Sequence, residues 1–266
     1  TGQDAPVSVL ATALYQQLPA QPDGEDSQLP GGGRKLLVFS DSRQDAAFFA
    51  PYLERTYNQV LHRRLILKAL LDDPDGRRGE LRLQDCTQPL VWQAEAAGLF
   101  QRRQSRNERQ RTVMTWLMQE FVALDRRMSL EGLGLLQFRL VRPDRWRAPQ
   151  VLRDAPWGLS DDESWELVQL LLDTLRQQGC VTFPDNVDPL QDDFAPRNKA
   201  IFVREEGSDA KAGVLSWVPM QGSNRRLNLL TRLLTRLNTS MSTEDCRQHA
   251  REALRGIWRD LTDRRS

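Results

Sequence analysis

Residues 35–47 read KLLVFSDSRQDAA, and this stretch decides the fold that the sequence predicts. Residues 36–39 form an unbroken apolar run after a Gly-Gly-Gly-Arg breaker, which is typical of a strand buried on both faces of a sheet. Residues 40–42 (Ser-Asp-Ser) supply turn and capping chemistry, and helical spacing begins at Arg43. The stretch therefore predicts a strand, a polar corner and a helix, and ligands of open α/β sheets bind at such corners.

The sequence of this corner resembles the motif that opens the second RecA-like domain of superfamily 2 helicases, which usually has the form LVFxNSRxxAE. The positions that match this form are Phe39, Ser42, Arg43 and Ala46. The string that continues to Leu53 resembles a subgroup of large bacterial helicase-like proteins, some of them linked to phage defence. The resemblance extends over residues 34–54.

The resemblance implies that Ser42 and Arg43 approach the backbone of a nucleic acid, and that Phe39 packs beneath the sheet near an ATP-handling arginine. It also implies that the parent protein binds ATP and Mg²⁺ and translocates on, or remodels, a nucleic acid, with DNA favoured over RNA. Asp41 departs from the family form, in which Asn is commoner, and an acid there would repel a phosphate. The alternative is that Ser42 only caps the helix and Arg43 is a solvated first-turn residue.

The ATPase motifs of such a motor are absent from the sequence. No G-x-x-x-x-G-K-[ST] loop occurs, since residues 31–35 (GGGRK) precede the strand and no Ser or Thr follows them. No Q-x-x-G-R-x-G-R arginine motif is present either. We therefore assign no catalytic, cofactor-binding or metal-binding residue to this chain, and we expect it to have no ATPase activity by itself.

Charge and cysteine content restrict the class of protein. The net charge of the 266 residues is +1, which is too small to indicate a partner. Cys86, Cys180 and Cys246 are far apart in sequence, which excludes a local zinc module and favours a reduced, cytoplasmic setting. The sequence contains no apolar run of about 18 residues that would span a membrane, so we expect no membrane partner.

The predicted fold class is mainly α with a minor α/β part, namely a fragment of a RecA-like parallel-sheet domain followed by a mostly helical insertion. Residues 36–39 are the one convincing buried strand and the chain begins without Met, so we expect the neighbouring strands to belong to a larger protein. We assign residues 1–58 to the second RecA-like domain and residues 59–158 to a helical accessory insertion. Residues 159–218 are predicted to form a winged-helix-like or plain α+β unit, and residues 219–266 a terminal helical pair.

Apolar periodicity and helix breakers locate the individual elements. The separate helices are predicted at residues 4–18, 43–71, 161–176, 225–237 and 243–261. Helical spacing also extends over residues 80–158, with a restart at residues 128–134, and it favours a core position for Trp92 and Trp116. Residues 20–33 are predicted to be a flexible surface linker. The strand-like runs are residues 180–183, 200–204 and 214–218, of which the first two fit a winged-helix-like hairpin or plain α+β packing.

One basic stretch interleaves arginines with an aromatic residue, Trp146. Arginine makes planar, bidentate contacts with phosphates that lysine cannot make. The candidate nucleic-acid-binding residues are therefore Arg139, Arg142, Arg145 and Arg147, together with Ser42 and Arg43. A solvated charged face is the alternative interpretation of the arginines.

The function predicted from these features is a contribution to nucleic-acid or partner contacts within an ATP-dependent helicase or translocase. The alternative, from another class, is a helical module that docks a partner protein and has no nucleic-acid role.

Overall fold

The computed structural model describes residues 4–19, 33–37, 43–101, 103–123, 127–195, 197–207 and 213–263. Within these residues the structure is mainly helical, with one two-stranded parallel sheet. The predicted class, mainly α with a minor α/β part, is confirmed at this level. The chain divides into two compact units, Thr1–Met118 and Gln119–Ser266.

The described part of the first unit is helical. Its elements are α1 (Asp4–Gln17), α2 (Arg43–Asp72), α3 (Pro74–Arg78), α4 (Thr87–Ala96) and most of α5 (Arg106–Phe121). Helix α2 covers the helix predicted at residues 43–71 and has 30 described residues, a length of about 45 Å at the usual rise per residue. Asp73 separates α2 from α3, because its Oδ1 accepts hydrogen bonds from the N–H groups of Asp75 and Gly76.

The buried side of α4 in the first unit differs from the prediction. Helix α4 buries Leu90, Val91 and Ala94, whereas Trp92 is 61% exposed. Positions 90, 91 and 94 lie on one side of a helix with 3.6 residues per turn, and position 92 lies on the opposite side. The prediction that Trp92 is a core residue is therefore wrong.

The predicted strand covers residues 36–39, of which the structure describes residues 36 and 37, and these two residues do not form a strand. Residues 34–37 have no regular secondary structure, and Leu37 is 80% exposed. Parallel strands require paired neighbours, and no described residue pairs with residues 34–37 in a sheet. Residues 38–42, which hold the rest of the strand and the corner, lie outside the described residues, as do residues 20–32 of the predicted linker.

Among its described residues, the second unit contains four further α-helices and a small sheet. Its elements are α6 (Gln150–Arg153), α7 (Asp161–Arg176), β1 (Phe202–Gly207), β2 (Val214–Pro219), α8 (Arg225–Leu237) and α9 (Thr243–Thr262). The capping box predicted at the start of α7 is confirmed. The Ser160 Oγ atom accepts from the Glu163 N–H at 3.3 Å, and the Glu163 Oε2 atom accepts from the Ser160 N–H at 2.9 Å.

One hydrophobic core joins α7, α8, α9 and β2. Large side chains that are fully buried in this core include Leu171, Trp217, Leu227, Leu230, Leu234, Leu254 and Ile257. The Trp217 indole N–H donates to the Leu254 carbonyl at 2.7 Å, so the polar atom of this buried ring is satisfied. Residues 159–218 and 219–266, which the sequence assigned to separate segments, therefore share one core.

The sheet differs from the predicted hairpin. Residues 180–183 have no strand structure, and β1 pairs in parallel with β2 in the register Phe202↔Val214. The hairpin between residues 180–183 and 200–204 therefore does not form, although the predicted strand at residues 214–218 is confirmed. A winged-helix-like unit is not shown.

The predicted helix restart at residues 128–134 is wrong. Residues 127–135 form turns, and residues 136–149 are mostly irregular. Two features favour turns over a helix here: the Leu130 N–H donates to the Glu120 carboxylate at 2.7 Å, and Gly134 has a φ of 71°. A positive φ ends helical geometry, and glycine adopts it without strain.

Candidate nucleic-acid interface

The four predicted arginines of the second unit lie on residues 137–149, which we call the arginine loop. Two contacts attach this loop to the first turn of α7. The Ala148 N–H donates to Asp161 Oδ1 at 2.9 Å, and Arg142 Nη1 lies 2.5 Å from Asp162 Oδ1. The N-terminal acids of α7 therefore hold the loop in place.

Arg142 is the anchored member of the set. Its guanidinium pairs with Asp162 and lies over the Trp146 ring, 5.0 Å from the ring centroid. The Trp146 ring in turn meets the Trp165 ring edge-on, with centroids 5.0 Å apart. Only 33% of the Arg142 side chain is exposed. Arg142 therefore fixes the conformation of the loop and is less available to a ligand than its neighbours.

The other three arginines present their guanidinium groups to solvent. Arg139 donates from Nε to Gln137 Oε1 at 3.1 Å, which leaves its terminal nitrogens exposed. Arg145 is exposed and makes no hydrogen bond or ion pair with any residue that the structure describes. The Arg147 side chain is 72% exposed and lies 4.0 Å from Asp161 Oδ2, a weak pairing at that distance.

Acidic residues next to the loop lower its positive potential. Asp161, Asp162 and Glu163 form the first turn of α7, and Asp144 lies within the loop. Hydrogen bonds from the Ser160 side chain and backbone hold the pKa of the Glu163 carboxyl below its usual value, so this group stays ionised at neutral pH. The four arginines therefore have four carboxylates near them in the chain or across the contact with α7. A phosphate is attracted here only when it comes close to the exposed guanidinium groups.

The contacts of Asp161 and Asp162 with the arginine loop could not be predicted from the sequence. The capping box marked them as a helix start, and that local role is confirmed. Their contacts with the arginine loop join residues 13 and 20 positions apart in the chain. No local pattern signals such contacts.

An open cleft of about 340 Å³ lies beside the arginine loop. Its lining residues are Trp146, Arg147, Pro149, Val168, Ile257, Asp260, Leu261 and Asp263. The lining combines apolar side chains and the Trp146 ring with Arg147 and two aspartates, whose carboxylates can accept hydrogen bonds.

Ser42 lies outside the described residues, and so does the side chain of Arg43, whose backbone begins α2. These two candidates belong to the first unit, and the four arginines belong to the second. A joint site formed by all six residues stays a prediction.

Two further properties concern only the described residues. No group of His, Cys, Asp and Glu side chains among them is arranged to hold a metal ion. None of their helices combines the length and the apolar character needed to cross a bilayer.

No protein-family model matches the sequence, and no match was found among curated proteins or among solved structures. A functional assignment therefore rests on the chain's own residues and their geometry.

Proposed function

We propose that this chain is part of an ATP-dependent superfamily 2 helicase or translocase and that its own contribution is contact with a nucleic acid, DNA being favoured. The resemblance of residues 34–54 to the helicase motif supports the class of protein, and α2 supplies the helix that follows in that motif, whereas residues 34–37 do not form the strand that precedes it. ATP and Mg²⁺ belong to the parent protein in this proposal, because the ATPase motifs are absent from the sequence.

The observation that carries the proposed contact is the exposure of Arg139, Arg145 and Arg147 on a loop that Arg142 anchors to α7. A guanidinium fork fits two phosphate oxygens, and contacts of this kind do not depend on base sequence. A motor that moves along a strand requires this property, since each step presents different bases. Ser42 and Arg43 would add contacts near the start of α2, as the resemblance implies.

The proposal is tested by reversing the three exposed charges. The variant Arg139→Glu, Arg145→Glu, Arg147→Glu keeps Arg142, because loss of that residue would also release the loop from Asp162. We expect it to bind a fluorescent single-stranded oligonucleotide at least about tenfold more weakly, as judged by fluorescence anisotropy at low salt.

A matched control changes three exposed arginines elsewhere in the second unit, Arg232→Glu, Arg236→Glu and Arg259→Glu. It has the same net charge as the test variant, and we expect it to bind within about twofold of wild type if the arginine loop is the contact. Equal affinity of the two variants would contradict the proposed site.

A second candidate function is docking of a partner protein without any nucleic-acid role. The observation that favours it is apolar exposure in the first unit, where Leu10 is 63%, Leu14 is 60% and Leu37 is 80% exposed. Leu10 and Leu14 are one helical turn apart and therefore share a side of α1. Neighbouring exposed apolar side chains are characteristic of interaction surfaces.

The docking function is tested with the double variant Leu10→Gln, Leu14→Gln and the control Leu190→Gln, a leucine that is 54% exposed in the second unit. Docking predicts that a stoichiometric partner stays with wild type and the control but not with the double variant. Retention of that partner by the double variant would refute docking through α1.

A further inference from the structure

A second cationic site lies at the C-terminal end of α7, in the second unit. It is an open cleft of about 420 Å³ lined by Gln177, Gln178, Arg197, Ile201 and Arg225. Its two arginines are 28 positions apart in the sequence. The fold alone brings them together.

Arg197 is held rigidly on one side and is free on the other. Its Nη1 atom donates to the carbonyl oxygens of Val122 at 2.7 Å, Ala123 at 3.1 Å and Gln177 at 2.7 Å. Its Nε and Nη2 N–H groups have no acceptor among the described residues. Partial burial removes part of the guanidinium from water and so lowers the pKa of Arg197.

Gln177 brings the second guanidinium to the same cleft. Its backbone carbonyl accepts from Arg197, and its side-chain oxygen accepts from Arg225 Nη1 at 3.1 Å. Arg225 is the first residue of α8, whose first turn contains no acid. No described carboxylate forms an ion pair with either arginine within 4.0 Å. Two cations that line one cleft without a counter-charge raise its positive potential, and a bound anion lowers it.

We propose that this cleft binds a phosphate group between the guanidiniums of Arg197 and Arg225. Phosphate fits better than carboxylate, because two forks require more acceptor oxygens than the two that a carboxylate offers. The cleft is open, so the rest of a phosphate ester can extend into solvent. The phosphate comes either from a single-stranded nucleic-acid backbone or from a small phosphate ester. The inference does not depend on the helicase proposal.

The test uses the whole chain and inorganic phosphate, added at constant ionic strength against chloride. NMR signals of the arginine Nε–H groups report binding, and the Arg197→Lys variant identifies the Arg197 signal. We expect that signal to shift in a saturable way. The Arg225→Gln variant should bind phosphate about tenfold more weakly, the change expected from loss of one charge-assisted hydrogen bond. The control Arg232→Gln, on the exposed face of the same helix, should bind as wild type does.

Two further titrations distinguish the source of the phosphate. If an oligo(dT) strand produces the same Arg197 shift, the site takes a backbone phosphate; if only a nucleoside monophosphate does so, it takes a small ester. Either result supports the site. Absence of a saturable shift, or an equal loss of affinity in Arg225→Gln and Arg232→Gln, overturns it. If Arg225→Gln leaves phosphate binding unchanged while the arginine-loop variant loses oligonucleotide binding, this inference fails and the proposed function stands.

Discussion

Acidification should destabilise the first unit through His62. The His62 ring stacks on the Trp116 indole, with centroids 3.8 Å apart and ring planes 15° apart. Burial, reinforced by the charge of Arg63, lowers the pKa of His62 from 6.5 to about 4. Because the folded-state pKa lies below the unfolded value, the unfolded state takes up the proton first as the pH falls. The free energy of unfolding is therefore highest above pH 6.5 and decreases until the pH passes below about 4.

The magnitude follows from the two pKa values. Integration of both titrations from pH 7 to pH 5 gives a loss of about 2 kcal/mol in the free energy of unfolding. Urea unfolding at the two pH values measures this loss. The His62→Phe variant keeps an aromatic ring on Trp116 but has no proton to gain, so its difference from wild type separates His62 from the carboxylates.

This prediction is refuted if His62→Phe loses as much stability between pH 7 and pH 5 as wild type, or if NMR places the pKa of His62 near 6.5.

Three further predictions concern single groups and the whole chain. Arg176→Met should lower the free energy of unfolding, measured by urea titration, by about 3–5 kcal/mol, because Glu131 and Asp173 then lose the partner they hold at 2.6 and 2.7 Å. Adding Glu131→Gln to this variant should restore part of the lost free energy. Ser242→Ala should cost about 1 kcal/mol by calorimetry, since the Ser242 Oγ atom caps α9, and an unchanged melting temperature would refute that role. The purified chain should hydrolyse no ATP with or without DNA, and DNA-stimulated hydrolysis that remains with the chain through purification would contradict this prediction.

Elements whose signals are local could be predicted from the sequence. Helix α8 has the predicted bounds because leucines at helical spacing, such as Leu227, Leu230 and Leu234, follow the capping residue Asn224. Helix α7 was predicted equally well from its capping box. Both helices carry their start signal and their buried face within fewer than 20 residues.

Elements that depend on distant partners could not be predicted. Residues 136–149 have helical spacing in places, yet their conformation is set by contacts with Asp161 and Asp162 of α7. The arginines of the candidate site could be predicted because arginine is the residue type that binds phosphate. The carboxylates that contact them could not be predicted in this way. The pairing of Arg197 with Arg225 through Gln177 is likewise a product of the fold.

The salt dependence of oligonucleotide binding measures whether exposed arginines of the arginine loop contact phosphates. Each phosphate contact on a single strand contributes a slope of about −0.7 to the plot of log affinity against log salt concentration. Removal of three contacts in Arg139→Glu, Arg145→Glu, Arg147→Glu should therefore flatten the slope by about 2. We expect this flattening in that variant and an unchanged slope in Arg232→Glu, Arg236→Glu, Arg259→Glu. A slope and an affinity in the arginine-loop variant equal to those of wild type would show that these arginines do not contact the strand.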